Sequence, residues 1–140
     1  MRNLAVYVNF INEAYRRQIT SAAAGRGFGV TYYDSTVDTD AFAADIGDYE
    51  IIYGHPAPAL LKRAKNLRWL CSDFAGIEGY LDESVWPNPW CLLSNSSGAY
   101  GPTISEHIVM VLLMLLRRMP EYIPAMADRS GPTIRPSAPS

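Results

Sequence analysis

Five short apolar stretches alternate with segments of helical character over the first 95 residues of the chain. They are Leu4 to Phe10, GVTYY, EIIYG, LRWLCS and WCLLSN. Connections that contain helices join parallel strands, whereas short turns join antiparallel ones. We therefore predict an α/β fold, a doubly wound parallel sheet of about five strands, within a domain that covers residues 1–100.

The composition limits the classes of partner. The chain has 140 residues, about one domain, and its net charge of −2 comes without a cluster of Lys and Arg beyond short pairs. This balance argues against a nucleic-acid partner. Cys71 and Cys91 lack the spacing of a metal site, so we predict no metal and expect two small buried hydrophobic residues. Residues 127–140 are rich in Pro and Ser and predict a disordered tail.

No segment of the sequence predicts export or membrane insertion. The N-terminal stretch LAVYVNFI is interrupted by Asn9 and is followed by no small-residue cleavage pattern, so we interpret it as a strand rather than a signal peptide. The apolar run from Ile108 to Leu116 has nine residues, whereas a transmembrane helix needs roughly 20. We expect a cytoplasmic protein without a membrane partner.

That apolar run belongs to a predicted helix from about Thr103 to Met119. Thr103 and Glu106 fit the two ends of a capping box at its start, and Pro120 is expected to stop or kink it. Because no polar residue interrupts the run, the helix is apolar on all sides. One small domain covers only one of those sides, so we predict a homodimer or higher oligomer through residues 104–119.

Three loops follow the third, fourth and fifth predicted strands, at the edge where open parallel sheets bind ligands. They read GHPAP, SDFAGIEG and NSSGAYGPT. In the middle loop, Gly76 permits close approach to the backbone, and the N–H groups of Ala75, Gly76 and Ile77 precede a helical turn. That arrangement suits a carboxylate. The alternative is that Gly76 only makes a tight turn.

Two segments of the chain resemble a known family. The run NLRWLCSDFAGIEGYLD is similar to the strand and the S-x-x-A-G-hydrophobic-acidic loop of the D-isomer-specific 2-hydroxyacid dehydrogenases. The later run NSSGAYGPTISEHIVMVLLMLLRRMPEY resembles that family's crossover into its cofactor domain, with Ser105-Glu106-His107 at an A-E-H signature. Together they span about residues 66–122. The resemblance implies a flavodoxin-like substrate domain, residues 1–100, and a crossover helix region, residues 101–126.

The resemblance also implies roles for individual residues. In such enzymes the backbone amides of the A-G-hydrophobic loop hold the substrate carboxylate, which assigns that role to Ala75, Gly76 and Ile77. The implied ligands are a small 2-hydroxyacid or 2-oxoacid and the cofactor NAD or NADP. The remaining candidates are His55 and Tyr100 for the substrate and Thr103 for the cofactor.

We expect no counterpart of the family's second, Rossmann-type domain in the residues that follow Tyr122. That domain supplies the Gly-rich dinucleotide loop and the catalytic Arg, Glu and His. The resemblance therefore assigns this chain no catalytic residue, and NAD or NADP is not expected to bind it alone. The run GRGFG, residues 25–29, precedes a strand, whereas a dinucleotide fingerprint follows one. His107, beside Glu106, is interpreted as structural.

The leading hypothesis is the substrate-side portion of an NAD(P)-dependent D-2-hydroxyacid dehydrogenase, truncated and inactive alone. A stand-alone small-carboxylate binding or regulatory module is the alternative. Two other flavodoxin-like classes are rejected. A receiver domain needs acidic residues after its first and third strands, where this chain has Asn9-Phe10 and Gly54-His55. An FMN-binding flavodoxin needs a Thr/Ser-rich loop after the first strand, where this chain reads NFINEAY.

Overall fold

The computed structural model of the chain describes residues 2–127. The strands are β1 (Arg2–Tyr7), β2 (Phe28–Tyr33), β3 (Ile51–Gly54), β4 (Trp69–Cys71) and β5 (Leu92–Ser94). The α-helices are α1 (Glu13–Ala24), α2 (Thr39–Asp45), α3 (Pro58–Leu61), α4 (Gly101–Leu116) and α5 (Met119–Ala127), and short 3₁₀ helices cover Ile46–Asp48, Glu78–Tyr80 and Glu83–Val85. The chain divides into two compact units after Gly98. Of the predicted tail, residues 128–140 lie outside the described residues.

The predicted five-stranded parallel sheet is confirmed. Its strands lie in the order β2-β1-β3-β4-β5, and every neighbouring pair is parallel. The register places Ile52 of β3 beside Leu70 of β4, and Leu70 beside Leu93 of β5. Because all five strands run the same way, their carboxyl ends meet at one edge of the sheet, and so do the loops that follow them.

Two neighbouring tyrosines of β2 show that helices cover both faces. Tyr33 donates its hydroxyl hydrogen to Asp45 of α2 at 2.8 Å, whereas Tyr32 donates to the carbonyl oxygen of Arg16 in α1 at 2.9 Å. Successive side chains of a strand point to opposite faces. The helix α1 therefore packs on one face and α2 on the other, which is the doubly wound arrangement.

The main hydrophobic core lies on the α2 face and is rich in aromatic residues. The rings of Tyr7 and Phe42 stack with centroids 4.2 Å apart, and the hydroxyl oxygens of Tyr33 and Tyr49 are 2.6 Å apart. The buried phenol of Tyr33 keeps its proton because burial and these hydrogen bonds raise its pKa. The core consists of Ala5, Tyr7, Tyr33, Phe42, Ile46, Tyr49, Ile52, Leu61, Ala64, Leu67, Leu70 and Tyr80.

The two cysteines differ from the sequence expectation. Both thiols are free, and both side chains are half-buried rather than fully buried. Cys91 packs against the edge of the core and donates its thiol hydrogen to the carbonyl oxygen of Leu67 at 2.9 Å. Burial raises the pKa of the Cys91 thiol, which keeps it protonated and unreactive.

The start and end of α4 differ from those predicted. The helix begins at Gly101 with Pro102 in its first turn and with no side-chain capping bond, so the predicted Thr103–Glu106 capping box is wrong. A proline suits this position because its missing N–H would be unpaired there anyway. The helix ends before Arg118, which has a φ of 55°. Pro120 does not end α4, because it lies in the first turn of α5.

Between residues 2 and 127, none of the helices has the length and apolarity that a bilayer crossing requires. The long apolar side chains of α4 are nevertheless exposed: Val111 is 38% exposed and Leu116 is 69% exposed.

We predict that Gly54→Ala lowers the free energy of unfolding by at least about 3 kcal/mol. Gly54 ends β3 with a φ of 141°, and a Cβ there would lie 2.1 Å from the carbonyl oxygen of Tyr7 in the neighbouring strand. Urea denaturation followed by circular dichroism measures the change. The control is Gly25→Ala, where φ is −60° and the nearest atoms are 3.7 Å away. Equal stability of the two variants would contradict the prediction.

Candidate functional site

The loop after β4 carries three consecutive backbone N–H groups, those of Ala75, Gly76 and Ile77. Among residues 2–127, no protein atom accepts a hydrogen bond from the N–H of Ala75, Gly76 or Ile77. Ala75 and Gly76 are exposed, and Ile77 is half-buried. Uncommitted amides in consecutive residues are available to donate to the oxygens of an anion.

One of these peptide groups is held in place from the next loop. The side-chain amide of Asn95, which follows β5, donates to the carbonyl oxygen of Ala75 at 2.6 Å. The carbonyl of Ala75 and the N–H of Gly76 belong to one planar peptide unit. The bond from Asn95 therefore also fixes the direction in which the Gly76 N–H points.

His55, which follows β3, packs directly beside this loop. Its ring lies with its centroid 4.6 Å from that of Phe74 and 5.1 Å from that of Tyr80. Its Nδ1 is 3.3 Å from the hydroxyl oxygen of Ser72. The ring is thus held on two sides, while the residue as a whole stays exposed.

Ser72 is fully buried, and each of its polar groups has a partner. Its hydroxyl oxygen accepts the N–H of Phe74 at 3.1 Å and contacts His55. Its own N–H donates to Ser94 at 2.8 Å, and its carbonyl accepts the hydroxyl of Ser96 at 3.2 Å. Buried polar groups are satisfied in this way in stable proteins, and here the result connects the loops after β3, β4 and β5.

Tyr80 forms hydrogen bonds that connect further segments at this edge of the sheet. Its hydroxyl donates to the carbonyl oxygen of Pro56 at 2.6 Å, and the indole N–H of Trp86 donates to the carbonyl of Tyr80 at 2.9 Å. Burial raises the pKa of Tyr80, so the phenol remains a hydrogen-bond donor. These bonds join the His55-Pro56 turn to the segment that follows the amide loop.

Asp73 lies next to Ser72 in the same loop. Burial raises the pKa of its carboxyl group, and the nearby His55 opposes that shift only in part. The carboxylate and the imidazole both line a cavity of about 330 Å³ at the carboxyl edge of the sheet.

Solved structures similar to this chain share its architecture. A crystal structure of a D-isomer specific 2-hydroxyacid dehydrogenase family protein from Aeromonas salmonicida subsp. salmonicida has 26% sequence identity and a TM-score of 0.73 over 97% of this chain. An NAD-dependent formate dehydrogenase from Staphylococcus aureus in complex with NAD has 18% identity and a TM-score of 0.64 over 94% of this chain. A Salmonella D-lactate dehydrogenase has 16% identity and a TM-score of 0.50 over 90% of it.

The resemblance to the D-isomer-specific 2-hydroxyacid dehydrogenases is confirmed. This chain spans 42% of the Aeromonas protein, 43% of the formate dehydrogenase and 39% of the D-lactate dehydrogenase. No protein-family model matches the sequence, and no curated protein matches it either.

Two residues suggested by the likeness to these dehydrogenases lie in the second unit. Tyr100 immediately precedes α4 and is exposed, and Thr103 lies in the first turn of that helix. Their assignments to substrate and cofactor stay predictions. The structure does bring His55 together with the loop that carries Ala75, Gly76 and Ile77, because His55 contacts Phe74, the residue before Ala75.

Neither glycine-containing turn among the described residues matches the dinucleotide site typical of such dehydrogenases. Gly27 has a φ of 78° in the turn that leads into β2, so the GRGFG run makes a helix-to-strand turn and not the strand-to-helix turn that cradles a pyrophosphate. Gly98 lies between β5 and α4, and Gly101 is the first residue of α4, but these are two glycines and not the three of the fingerprint. The part of the chain described here does not fit a Rossmann-type cofactor site, and within it no cluster of His, Cys, Asp or Glu could hold a metal ion.

Sequence reasoning missed Ser72, Asp73 and Phe74 as individual site residues. All three stand in the S-D-F segment directly before Ala75, at the end of β4. The available signal was Ser72, a polar residue directly after a buried strand, because a buried hydroxyl requires hydrogen-bond partners. The identity of its partner, His55, depends on the pairing of β3 with β4 and could not be read locally.

We predict that Asp73→Asn raises the free energy of unfolding at neutral pH. The native pKa of Asp73 lies above the ordinary value of 3.8, so the folded protein binds that proton more tightly than the unfolded chain does. The stability of the wild type therefore falls as the pH rises from 3.8 through the native pKa, and the asparagine variant escapes this loss. Urea denaturation over a pH series measures the difference, which should close as the pH falls toward 3.8.

The matched control is Asp82→Asn, because the pKa of Asp82 is shifted in the opposite direction to that of Asp73. Hydrogen bonds from Ser84 lower the pKa of Asp82, so its ionised form stabilises the fold above the ordinary pKa and that contribution is lost on acidification. The variant should show no gain at neutral pH. A gain for Asp82→Asn equal to that of Asp73→Asn would contradict the assignment.

Proposed function

We propose that the first unit of the chain is the substrate-binding portion of an NAD(P)-dependent D-2-hydroxyacid dehydrogenase. In this proposal the N–H groups of Ala75, Gly76 and Ile77 hold the carboxylate of a small 2-hydroxyacid or 2-oxoacid. The observation that carries it is that these three amides have no acceptor among the described residues and lie at the carboxyl edge of a parallel sheet. The likeness of the fold to the dehydrogenases supports the same reading.

The chemistry of this loop fits binding rather than catalysis. Backbone amides attract an anion and fix its orientation, but they exchange no proton with it. Hydride transfer needs a nicotinamide and a proton donor, and the described residues do not fit a Rossmann-type site. We assign oxidoreductase activity to this substrate domain only when it acts with a cofactor domain that binds NAD or NADP. We place the protein in the cytoplasm.

A second candidate function is a stand-alone module that binds small carboxylates. It is favoured by the architecture of the first unit, which has a sheet of five strands with helices on both faces. The two functions share one binding site and differ in turnover. A reading frame for a Rossmann-type domain beside that of this chain would favour the dehydrogenase, and regulated binding of an acid without any such domain would favour the module.

We also propose that two copies of the chain pair through residues 104–119. Eight apolar residues of α4 between Ile108 and Leu116 are at least 38% exposed, and an apolar groove of about 700 Å³ runs along the helix beside Val109, Leu113 and Met119. Burial of roughly four such side chains is worth on the order of 6–12 kcal/mol. A second copy of the same helix supplies a matching apolar surface, and a two-fold contact closes it.

We predict that residues 1–140 bind a 2-hydroxyacid without oxidising NADH in the presence of a 2-oxoacid, and that Gly76→Val abolishes the binding. A Cβ at Gly76 would displace only the flexible end of Glu78, which lies 2.9 Å away, so the variant should fold while its side chain blocks the amides. Removal of a like charge by Glu78→Gln should strengthen binding. Nuclear magnetic resonance titration with lactate measures both effects.

The control for that experiment is Gly101→Val, because no atom lies within 4 Å of a Cβ placed there. It should bind as the wild type does. Loss of binding in both glycine variants, or retention in Gly76→Val, would argue against the amide site. NADH oxidation by the purified 140-residue chain would refute the assignment of turnover to a further domain.

We predict that the wild type has twice the monomer mass of 15.5 kDa in light scattering at tens of micromolar. The double variant Leu112→Lys, Leu116→Lys should be a monomer. Pairing would bury the lysine charges of both copies without partners, which opposes the contact between the two helices. The control is Val37→Lys, which changes a 77% exposed residue of the first unit and should leave the mass unchanged. A monomeric wild type would show that α4 needs no second copy.

A further inference from the structure

A second cavity, of about 510 Å³, lies beside the edge strand β5. It lies within the first unit and shares no residue with the amide loop. Its walls come from the segment that connects β4 to β5 and from β5 itself. The residues that matter for its chemistry are Tyr80, Glu83, Trp86, Asn88, Cys91 and Leu93. We call this cavity the β5 pocket.

The side-chain donors of the β5 pocket are already bound to acceptors inside the first unit. The hydroxyl of Tyr80 and the indole N–H of Trp86 both donate to backbone carbonyl oxygens. The amide of Asn88 and the thiol of Cys91 do the same, at 3.2 and 2.9 Å. Two prolines also line the pocket, and proline has no N–H. The pocket therefore has few donors left for a ligand.

The carboxylate of Glu83, in contrast, is open to a ligand. Glu83 is exposed, and within residues 2–127 it forms no salt bridge. The nearby cation Lys62 interacts with the neighbouring Asp82 instead, and Asp82 also accepts the N–H of Ser84 at 2.8 Å. A carboxylate only accepts hydrogen bonds. A pocket with such a group and few open donors suits a ligand that donates and carries a positive charge.

The aromatic rings of the pocket favour an organic cation of a particular shape. The rings of Tyr80 and Trp86 lie with their centroids 6.2 Å apart, and Trp86 is half-buried. A guanidinium group has N–H donors and no acceptor, and its flat faces pack on aromatic rings. The apolar stem that carries it in arginine packs on apolar surface, which Leu93 and the two prolines supply. An arginine side chain therefore matches the pocket along its whole length.

The open edge of β5 indicates where such a side chain comes from. Among residues 2–127, β5 pairs only with β4. The N–H of Leu92 donates to the carbonyl of Arg68 at 2.8 Å. The carbonyl of Ser94 accepts the N–H of Ser72 at 2.8 Å, so Leu92 and Ser94 both direct backbone groups toward β4. Because these directions alternate along a strand, the N–H and carbonyl of Leu93 point away from the sheet, where a further strand can pair with them.

We propose that β5 and its pocket bind an extended segment of another protein, with an arginine side chain in the pocket. The segment adds a strand beside β5 and is held by hydrogen bonds to the backbone of Leu93. The side chain of Leu93 lines the pocket, so the residue opposite it in the added strand faces the pocket as well. There the guanidinium meets the carboxylate of Glu83 in a charge-assisted hydrogen bond.

The experiment uses an acetylated and amidated pentapeptide with a central arginine between valine and threonine residues. In the matched peptide, citrulline replaces arginine and keeps its shape without its charge. Titration of residues 1–140 followed by nuclear magnetic resonance should give a dissociation constant at least about tenfold lower for the arginine peptide. Glu83→Gln should remove this difference. The control Glu13→Gln, which changes an exposed carboxylate of α1, should preserve it. Equal affinity of the two peptides for the wild type would overturn the proposal.

A second series of peptides tests the added strand. Methylation of one backbone nitrogen at a time removes one donor and leaves the guanidinium unchanged. Because alternate residues of a strand face its neighbour, methylation at alternate positions should weaken binding about tenfold, and methylation between them should change it little. Equal tolerance of every methyl group, with ethylguanidinium bound as tightly as the peptide, would show that the pocket takes a free cation and that no strand is added.

A second copy of the chain is the other possible occupant of this edge. It is distinguished by light scattering of the double variant Leu112→Lys, Leu116→Lys, whose apolar helix no longer supports pairing. This variant should be a monomer and should bind the arginine peptide as the wild type does. A dimer that persists in the variant and excludes the peptide would assign the edge of β5 to a second copy and overturn the proposal. Because no 2-hydroxyacid is present in these measurements, their outcome does not depend on the amide loop.

Discussion

The carboxyl edge of the sheet depends on one buried hydroxyl. Ser72 lies at the end of β4 with no exposed surface, and its polar groups bond to residues in the loops after β3, β4 and β5. A buried hydroxyl that loses a partner destabilises a fold more than the bond itself stabilises it. The loops are therefore held in one arrangement, in which the imidazole of His55 lies against Phe74 and beside the free amides that follow.

The sheet was predictable from the sequence because each strand carries its own local signal. The apolar runs around Val6, Ile52 and Leu70 are short and β-branched or aromatic, and the helical segments between them permit only parallel crossovers. The burial of both faces follows from that alternation, whereas the order β2-β1-β3-β4-β5 does not, because more than one order is compatible with it. Leu70 of β4, which pairs with both β3 and β5, is fully buried. The apolar run around such a residue is enough to predict that it lies in the core.

The ends of the helices and the walls of the cavity were not predictable in the same way. A capping box at Thr103 fits the local spacing, but Gly101 and Pro102 already adopt helical geometry and start the helix two residues earlier. The contact between His55 and Ser72 joins residues 17 positions apart through the pairing of β3 with β4. Periodicity reports which face of a strand is buried. It does not report which side chains converge beyond the ends of two different strands.

The amide loop and the cavity beside it present different kinds of group. The N–H groups of Ala75, Gly76 and Ile77 belong to the backbone, so they are present whatever side chains surround them. The Asn95 bond to the carbonyl of Ala75 fixes their direction from outside the loop. The cavity, in contrast, is lined by side chains such as those of Asn9 and Asp73, each of which one substitution can replace. Substitutions can therefore change the lining of the cavity while the backbone amides of the loop stay as they are, because the two share a segment of chain but no donor or acceptor atom.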